Sequence, residues 1–316
     1  MPRTSRSICV LGDGGVIGKM VRGALLEDPA ITNVVSIGPV RPHRLQRKIS
    51  YHEMDLAADN ADNQLSDIID EEDIDTLLYM GYLSEFGNAE LDQANEVRQI
   101  ISALDRRHVP KAVFASTTAV YGALPTHPTH LVERTPLATT AESEWVQDKV
   151  KAEQELNNFL LETDIMVATL RFALVLGPTV QNFMTDYLGQ RSVPIVRNLD
   201  PPLQFVHEQD VSRAYCQAVR HDVEGSFNIV GDGALPLSVG LRIGRRRPSS
   251  VPELSAAPLS QILWEGDTVE PQPVLADMFT YIWVADGGLA STEMKFQPLF
   301  STKETIESFY RSRREN

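Results

Sequence analysis

Two cysteines in 316 residues are too few for a disulfide framework. Cys9 lies in an apolar run and Cys216 in a helical pattern, so both read as small buried thiols in a reducing compartment. Basic residues are also scarce: 29 lysines and arginines stand against 43 acidic residues, a formal net charge of −14. A nucleic-acid surface needs a net basic face, so this balance argues against a nucleic-acid partner. Long hydrophobic runs are missing as well. The longest apolar stretch, 165–176, is cut by Arg171 and falls short of the ~20 residues that span a bilayer. The opening MPRTSRS has no apolar segment of signal length, so the expectation is a cytoplasmic protein with no membrane partner. Internal repeats and low-complexity tracts are absent.

What is present is ordinary globular composition, 42% apolar and 23% charged, in a chain long enough for a sizeable core. The informative stretch is Ile8 to Leu26, where a short apolar run meets Gly12, Gly15 and Gly18 and opens into a helical pattern. Each glycine has a task. Gly12 lets the chain turn off the strand, Gly15 lets the backbone approach a diphosphate, and Gly18 lets helix and strand pack closely. The free N–H groups of the helix start, around Val16 and Ile17, then face the phosphates. This predicts dinucleotide binding, since the turn follows the first strand, where a nucleotide-binding fold would carry it.

Further strands are predicted at 31–38, 49–56, 75–83, 109–122 and 165–178, with helical patterns between them at 88–107 and 142–163. Recurring strand, crossover helix and strand predict a doubly wound parallel α/β sheet of Rossmann type. Residues 1–178 form the dinucleotide-binding domain and 179–316 mainly a smaller C-terminal substrate lobe, with 203–223 returning to the first domain. At the end of the second strand, where a carboxylate would accept the adenosine ribose hydroxyls, stands Gly38 followed by Arg41 and Arg44. That arrangement favours NADP, with NAD as the alternative. Asp55 and Leu56 close the third strand near the adenine, and Gly81 in the fourth gives close backbone access near the cofactor. Ser116, Thr117 and Thr118 cluster at the ligand-binding end of the fifth.

Taken together, GxxGxxG at Gly12, Gly15 and Gly18, DL at Asp55 and Leu56, and STTAVYG from Ser116 resemble the extended short-chain dehydrogenase/reductase family. RFALVLGP from Arg171, FVHEQDV from Phe205 and FNIVGDG from Phe227 extend the match, which is nearest to its epimerase and dehydratase branch, of the UDP-glucose 4-epimerase type. The resemblance implies oxidoreductase or epimerase chemistry on a small-molecule substrate. It implies Thr117 as the hydroxyl that positions substrate, Lys149 as the lysine that holds the nicotinamide ribose, and a homodimer built on the helices at 88–107 and 142–163.

The family's YxxxK tyrosine is where the chain departs, because that position is Trp145 and no other YxxxK exists. An indole N–H donates a hydrogen bond but neither ionises near neutral pH nor accepts a proton. Three readings stay open: a packing residue in a protein that binds cofactor without this chemistry, a pocket wall in an enzyme whose proton comes from elsewhere, or a shifted alignment. For the second, Tyr82 is the candidate substitute, with His130 and Asp148 behind it. Leu174 and Leu203 stand where UDP-sugar epimerases carry an Asn and an Arg, which argues against a UDP-sugar and for a smaller, more apolar substrate. His127 and His130 read as loop histidines with no metal set around them, His207 as hydrogen-bonded inside the fold, and Asp210 as the cap of the following helix.

Overall fold

The computed structural model describes residues 6–39, 48–81, 92–107, 109–141, 143–251 and 279–315. β1 (Arg6–Leu11) leads into α1 (Gly15–Leu26), followed by β2 (Ile31–Gly38), β3 (Ile49–Glu53), α2 (Ala61–Glu71), β4 (Thr76–Tyr79) and α3 (Gln93–Arg106). Then come β5 (Lys111–Thr117), a single 3-10 turn at Thr118–Tyr121, α4 (Glu144–Leu160) and β6 (Met166–Phe172). The second half contains β7 (Leu174–Leu176), α5 (Phe183–Gly189), β8 (Ser192–Val196), β9 (Pro202–Leu203), β10 (Phe205–His207) and α6 (Glu208–Arg220). β11 (Gly225–Ile229), β12 (Leu235–Pro236), α7 (Leu237–Ile243), β13 (Arg247–Val251), α8 (Gly288–Thr292) and α9 (Thr302–Glu315) complete it.

Seven strands form one sheet in the order β11-β6-β5-β4-β1-β2-β3, with every neighbouring pair parallel. This is the predicted Rossmann-type architecture. The strand order reverses between β1 and β4, so the crevice for a ligand opens at their carboxyl ends. Alternation along β1 supplies both faces: Cys9 and Leu11 pack with α2, α3 and α4, and Ile8 and Val10 with α1 and α6. Both faces are dry, which is why these strands read as unbroken apolar runs.

The strand expected at 165–178 is in fact two. Ala173 N–H donates to the Ile229 carbonyl at 3.0 Å, the last rung along β11, and β7 then leaves to pair with β10. Both pieces are apolar and buried, so no change of pattern marks the break.

α3 buries Ala94, Val97, Ile100, Ala103 and Leu104, while Ile101 is half-buried. α4 buries Val146, Val150, Ala152, Leu156 and Phe159 and turns Glu144, Lys151, Gln154 and Asn158 outward. The apolar stripes of these helices are therefore spent inside the protomer. The outer side of α3 reaches α2 through Arg106 to Asp62 at 2.6 Å and Ser102 to Asp62 at 3.0 Å.

Asp210 does not cap α6. His207 does, its Nδ1 accepting from Gln209 N–H at 3.2 Å, while its ring stacks on Phe300 at 3.8 Å. Asp210 lies in the first turn, accepting from Leu299 and Phe300 N–H at 2.9 and 3.1 Å and from Arg213 at 2.8 Å. It thereby fastens the approach to α9.

A pH dependence follows. Burial holds the His207 pKa below the usual histidine value, against the pull of Glu208 and Asp210. The unfolded chain therefore takes up the proton first, so stability is complete above the ordinary histidine range and falls as pH drops below it. Protonation also removes the Nδ1 acceptor. His207→Asn keeps a capping oxygen and does not titrate, so its urea midpoint should fall less than the wild type's between about pH 7.5 and about pH 5.5.

Candidate dinucleotide site

Gly12 has φ +68°, and a Cβ there would stand 2.9 Å from the Gly81 backbone, so the turns after β1 and β4 touch. Gly15 has φ +74° with nothing within 4 Å of a Cβ position, so the space beside the start of α1 is open. A Cβ at Gly18 would lie 1.9 Å from the Asp13 carbonyl oxygen, so the third glycine packs α1 against the turn rather than against the strand. Gly14 caps α1 with no side-chain hydrogen bond, and the first turn carries no acidic residue. Its leading N–H groups, with Val16 41% exposed over them and Ile17 buried beneath, are left for an anion. These features fit a dinucleotide diphosphate.

Asp13, inside the turn, went unnoticed in the sequence. Its carboxylate accepts from Ser36 Oγ at 2.9 and 3.0 Å and pairs with Arg22, whose Nη1 also donates to the Asp13 carbonyl at 2.9 Å. The turn is thus tied to both β2 and α1. Ser36 is two residues before Gly38 on the same face of β2, so a carboxylate reaches that strand's end from the loop. Gly38 itself has its carbonyl bound by Tyr51 Oη. Arg41 and Arg44 lie outside the described residues. Asp55 is exposed and closes its own turn by accepting from Ala57 N–H at 3.0 Å, and Leu56 is buried beside it.

At the other end of the crevice, Trp145 and Lys149 sit one turn apart on α4, with Lys149 Nζ 5.6 Å from the centre of the indole ring. Lys149 is 2% exposed, and its ammonium donates to Asp148 at 3.0 Å. Burial lowers its pKa, and the Asp148 charge opposes that. Asp148 is no free acid, because it also accepts from Gln93 and Ala94 N–H at 3.1 Å each, holding the start of α3. Gln93 is buried, donates to the Ala115 carbonyl at 3.3 Å, and leaves its Oε1 without a partner. A buried lysine with a single acceptor and an orphaned amide oxygen beside it suit a polyhydroxyl group such as a ribose.

Thr117 is fully buried, and its Oγ1 accepts from Ala119 N–H at 3.1 Å, capping the 3-10 turn. Tyr82 lies outside the described residues. Two other tyrosines near these strand ends are unsuited to proton transfer. Tyr121 is fully buried, its pKa pushed up to about 12 by burial, and its hydroxyl donates to Asn228 Oδ1 at 2.8 Å. Tyr79 is also fully buried, raised well above the usual phenol value by burial and by Glu96, to which it is hydrogen-bonded. His130 is exposed and lines a cavity of about 560 Å³ off the end of β11, with Gln204, Asp232 and Asp286. His127 is held by the loop, its Nδ1 accepting from Leu124 N–H at 3.4 Å. Among the described residues no group of three or more His, Cys, Asp or Glu could hold a metal ion.

Behind Thr117 and Lys149 runs a polar network that the sequence did not reveal. Arg171 donates to both Glu153 oxygens at 3.0 Å, to Tyr121 Oη at 2.8 Å and to the Glu133 carbonyl at 2.9 Å, and Ser116 donates to Glu153. It joins β5, α4, β6 and β11 under the crevice. Leu174 and Leu203, expected to line an apolar pocket, are each 4% exposed and packed within the core.

Among the described residues no helix is long and apolar enough to cross a membrane. The chain is 26% identical over 321 aligned residues to uncharacterised proteins of Mycobacterium tuberculosis and Mycobacterium bovis, covering 99% of itself and 85% of theirs. Its fold is similar to dTDP-glucose 4,6-dehydratase from Bacillus anthracis, solved in complex with NAD: TM-score 0.74, 14% identity, 99% and 97% of the two chains. It is also similar to UDP-glucose 4-epimerase from Thermotoga maritima, solved with UDP-glucose: TM-score 0.73, 18% identity, 98% and 99%. Residues 8–230, the whole sheet and its crevice, match the profile of one family, and the protein belongs to it: the NAD dependent epimerase/dehydratase family.

Proposed function

We propose that the protein binds a nicotinamide dinucleotide across the crevice and holds it without the tyrosine-dependent proton transfer of its fold relatives. The observation that carries this is Lys149, 5.6 Å from the centre of the Trp145 ring and already paired with Asp148; in this reading Trp145 stands where the family that the chain resembles has its titrating hydroxyl. Gly12, Gly15, Gly18, Val16 and Ile17 hold the diphosphate, Asp55 and Leu56 flank the adenine, Gly81 adjoins the nicotinamide half, and Lys149 with Gln93 meets its ribose. The coenzyme supplies a hydride donor or acceptor when bound. This chain's residues bind and orient it, and none of the described ones at the crevice offers a free acid or base. The fold relative solved in complex with NAD favours NAD over NADP; Asp13, buried and paired with Arg22, anchors the turn and sets no free charge against a 2'-phosphate.

Calorimetry with NAD(H) and NADP(H) tests this directly. The expected result is micromolar to submillimolar binding, tighter for NAD(H), with no turnover across a panel of small alcohols and carbonyls. Absence of binding by either form at millimolar concentration sinks the proposal. Trp145→Tyr should leave the affinity within a few-fold and restore a titrating hydroxyl.

A second reading is an oxidoreductase or epimerase acting on a small non-UDP substrate, with Thr117 positioning it and Tyr82 as acid or base. The retained, buried Lys149 favours it. Turnover by the wild type that Tyr82→Phe abolishes would establish this reading in place of the first.

A further inference from the structure

Although the chain is strongly acidic, seven of its arginines converge on one corner of the second lobe, where α5, α7 and α9 all end. Arg191 follows α5, Arg242 lies in the last turn of α7, Arg245, Arg246 and Arg247 follow it, and Arg313 and Arg314 end α9. Their proximity is fixed by contacts. Arg314 donates to the Ile243 carbonyl at 2.9 Å, Arg247 N–H donates to the Arg191 carbonyl at 3.2 Å as β13 pairs with β8, and Arg246 lies over the Tyr310 ring at 5.3 Å. Arg313 lies over Phe309 at 4.2 Å. Tyr310 Oη in turn donates to the Leu188 carbonyl at 3.0 Å, anchoring α9 to α5.

Helix carboxyl ends attract cations, and that accounts for some of this gathering. It does not account for seven. Arg314 uses one donor on Ile243, and among the described residues none of the seven forms an ion pair with a carboxylate. From Gly233 to Pro252 the chain has no acidic residue at all. Asp186 on α5 is the carboxylate that faces Arg313 and partly offsets it, while burial and the neighbouring Arg246 hold the Arg313 pKa below the usual guanidinium value. Arg246 Nε is buried and has no hydrogen-bond partner. Arg191, Arg242, Arg245, Arg247 and Arg314 are exposed.

We propose that this arginine corner is a binding site for a compact anion bearing clustered phosphates. A guanidinium stacked on an aromatic ring keeps its in-plane N–H donors for another partner, and the planar fork matches phosphate oxygens two at a time. No lysine takes part, so the corner is built of donors with fixed geometry rather than mobile point charges. Compactness follows from the rest of the molecule. Since these arginines are already counted in the net −14, the remaining surface is more acidic still, and it repels an extended polyanion along its length. A small ligand within about one Debye length, roughly 8–10 Å, feels chiefly the corner.

The probe is sodium tripolyphosphate, titrated calorimetrically at low and physiological salt, with lipid vesicles carrying phosphatidylinositol bisphosphate as a parallel arm. Micromolar binding of tripolyphosphate at low salt is expected, weakening several-fold at physiological salt and at least tenfold in Arg246→Ala/Arg313→Ala. Because that pair packs on Phe309 and Tyr310, Arg245→Gln/Arg247→Gln, at two exposed positions, serves as a second variant that should retain the wild-type melting temperature and also lose affinity. Binding of vesicles but not of tripolyphosphate assigns the same chemistry to a lipid headgroup. The corner is distinct from the crevice, so saturating NAD should leave the titration unchanged whether or not the dinucleotide proposal holds. No binding in either arm at about 1 mM, affinity indifferent to both variants, or binding of RNA alone overturns the site.

Discussion

Arg171→Met should destabilise the protein by about 3–5 kcal/mol, the usual cost of removing one partner from a buried ion pair, read as a fall in the urea midpoint at unchanged slope. Arg171 and Glu153 have side chains only 4% and 3% exposed, so neither charge recovers water when the other is removed. Burial pulls the Arg171 pKa down, and the Glu153 carboxylate more than reverses that. With the arginine gone, Glu153 retains, among the described residues, Ser116 as its one side-chain donor and must ionise in a dry site or take up a proton. Tyr121 and the Glu133 carbonyl lose a donor in the same step. Glu153→Leu/Arg171→Met removes both charges together and should recover much of the loss, since volume-matched apolar replacement of a buried pair is often nearly neutral. If the double variant is as unstable as the sum of the singles, the pair is not the coupled unit described.

The second large effect is at the glycine turn. Gly18→Ala should reduce dinucleotide affinity by more than a hundredfold and cost about 1–3 kcal/mol of stability, the range for overpacking a site with no room. The new methyl would meet three backbone atoms of Asp13, the carbonyl oxygen at 1.9 Å and Cα at 2.6 Å, and a backbone cannot swing aside as a side chain does. Opening the turn would also pull Asp13 from Ser36 and Arg22, so the loop and the end of β2 would lose their common anchor. Gly23→Ala is the internal control. Gly23 lies on the same helix with nothing within 4 Å of a Cβ, so alanine there should be neutral to slightly stabilising, through better helix propensity, and leave binding unchanged. Equal losses from both substitutions would show that α1 as a whole, rather than the turn, had been disturbed.

Local, short-range information decided much of the architecture. The glycine spacing, the apolar runs and the crossover patterns between them identified β1, α1 and the parallel sheet, because each depends on residues within a few positions of one another. The assignments that went astray lay where two distant segments meet. The break after Phe172 depends on β10, about thirty residues further on, and Asp210 was drawn from capping duty by the Leu299 and Phe300 amides, which no window around α6 contains.

By itself the chain of residues determined that a doubly wound sheet would form, with a glycine turn after its first strand. Only tertiary structure decided what the charged groups do. Asp13 was brought to Ser36, Asp148 to the start of α3, Glu153 to Arg171, and seven arginines from three separate segments to one corner. The reason is physical: backbone pattern and steric fit act between near neighbours and are written in order along the chain. The fate of a charge depends instead on which partner and how much water surround it, and folding alone settles both.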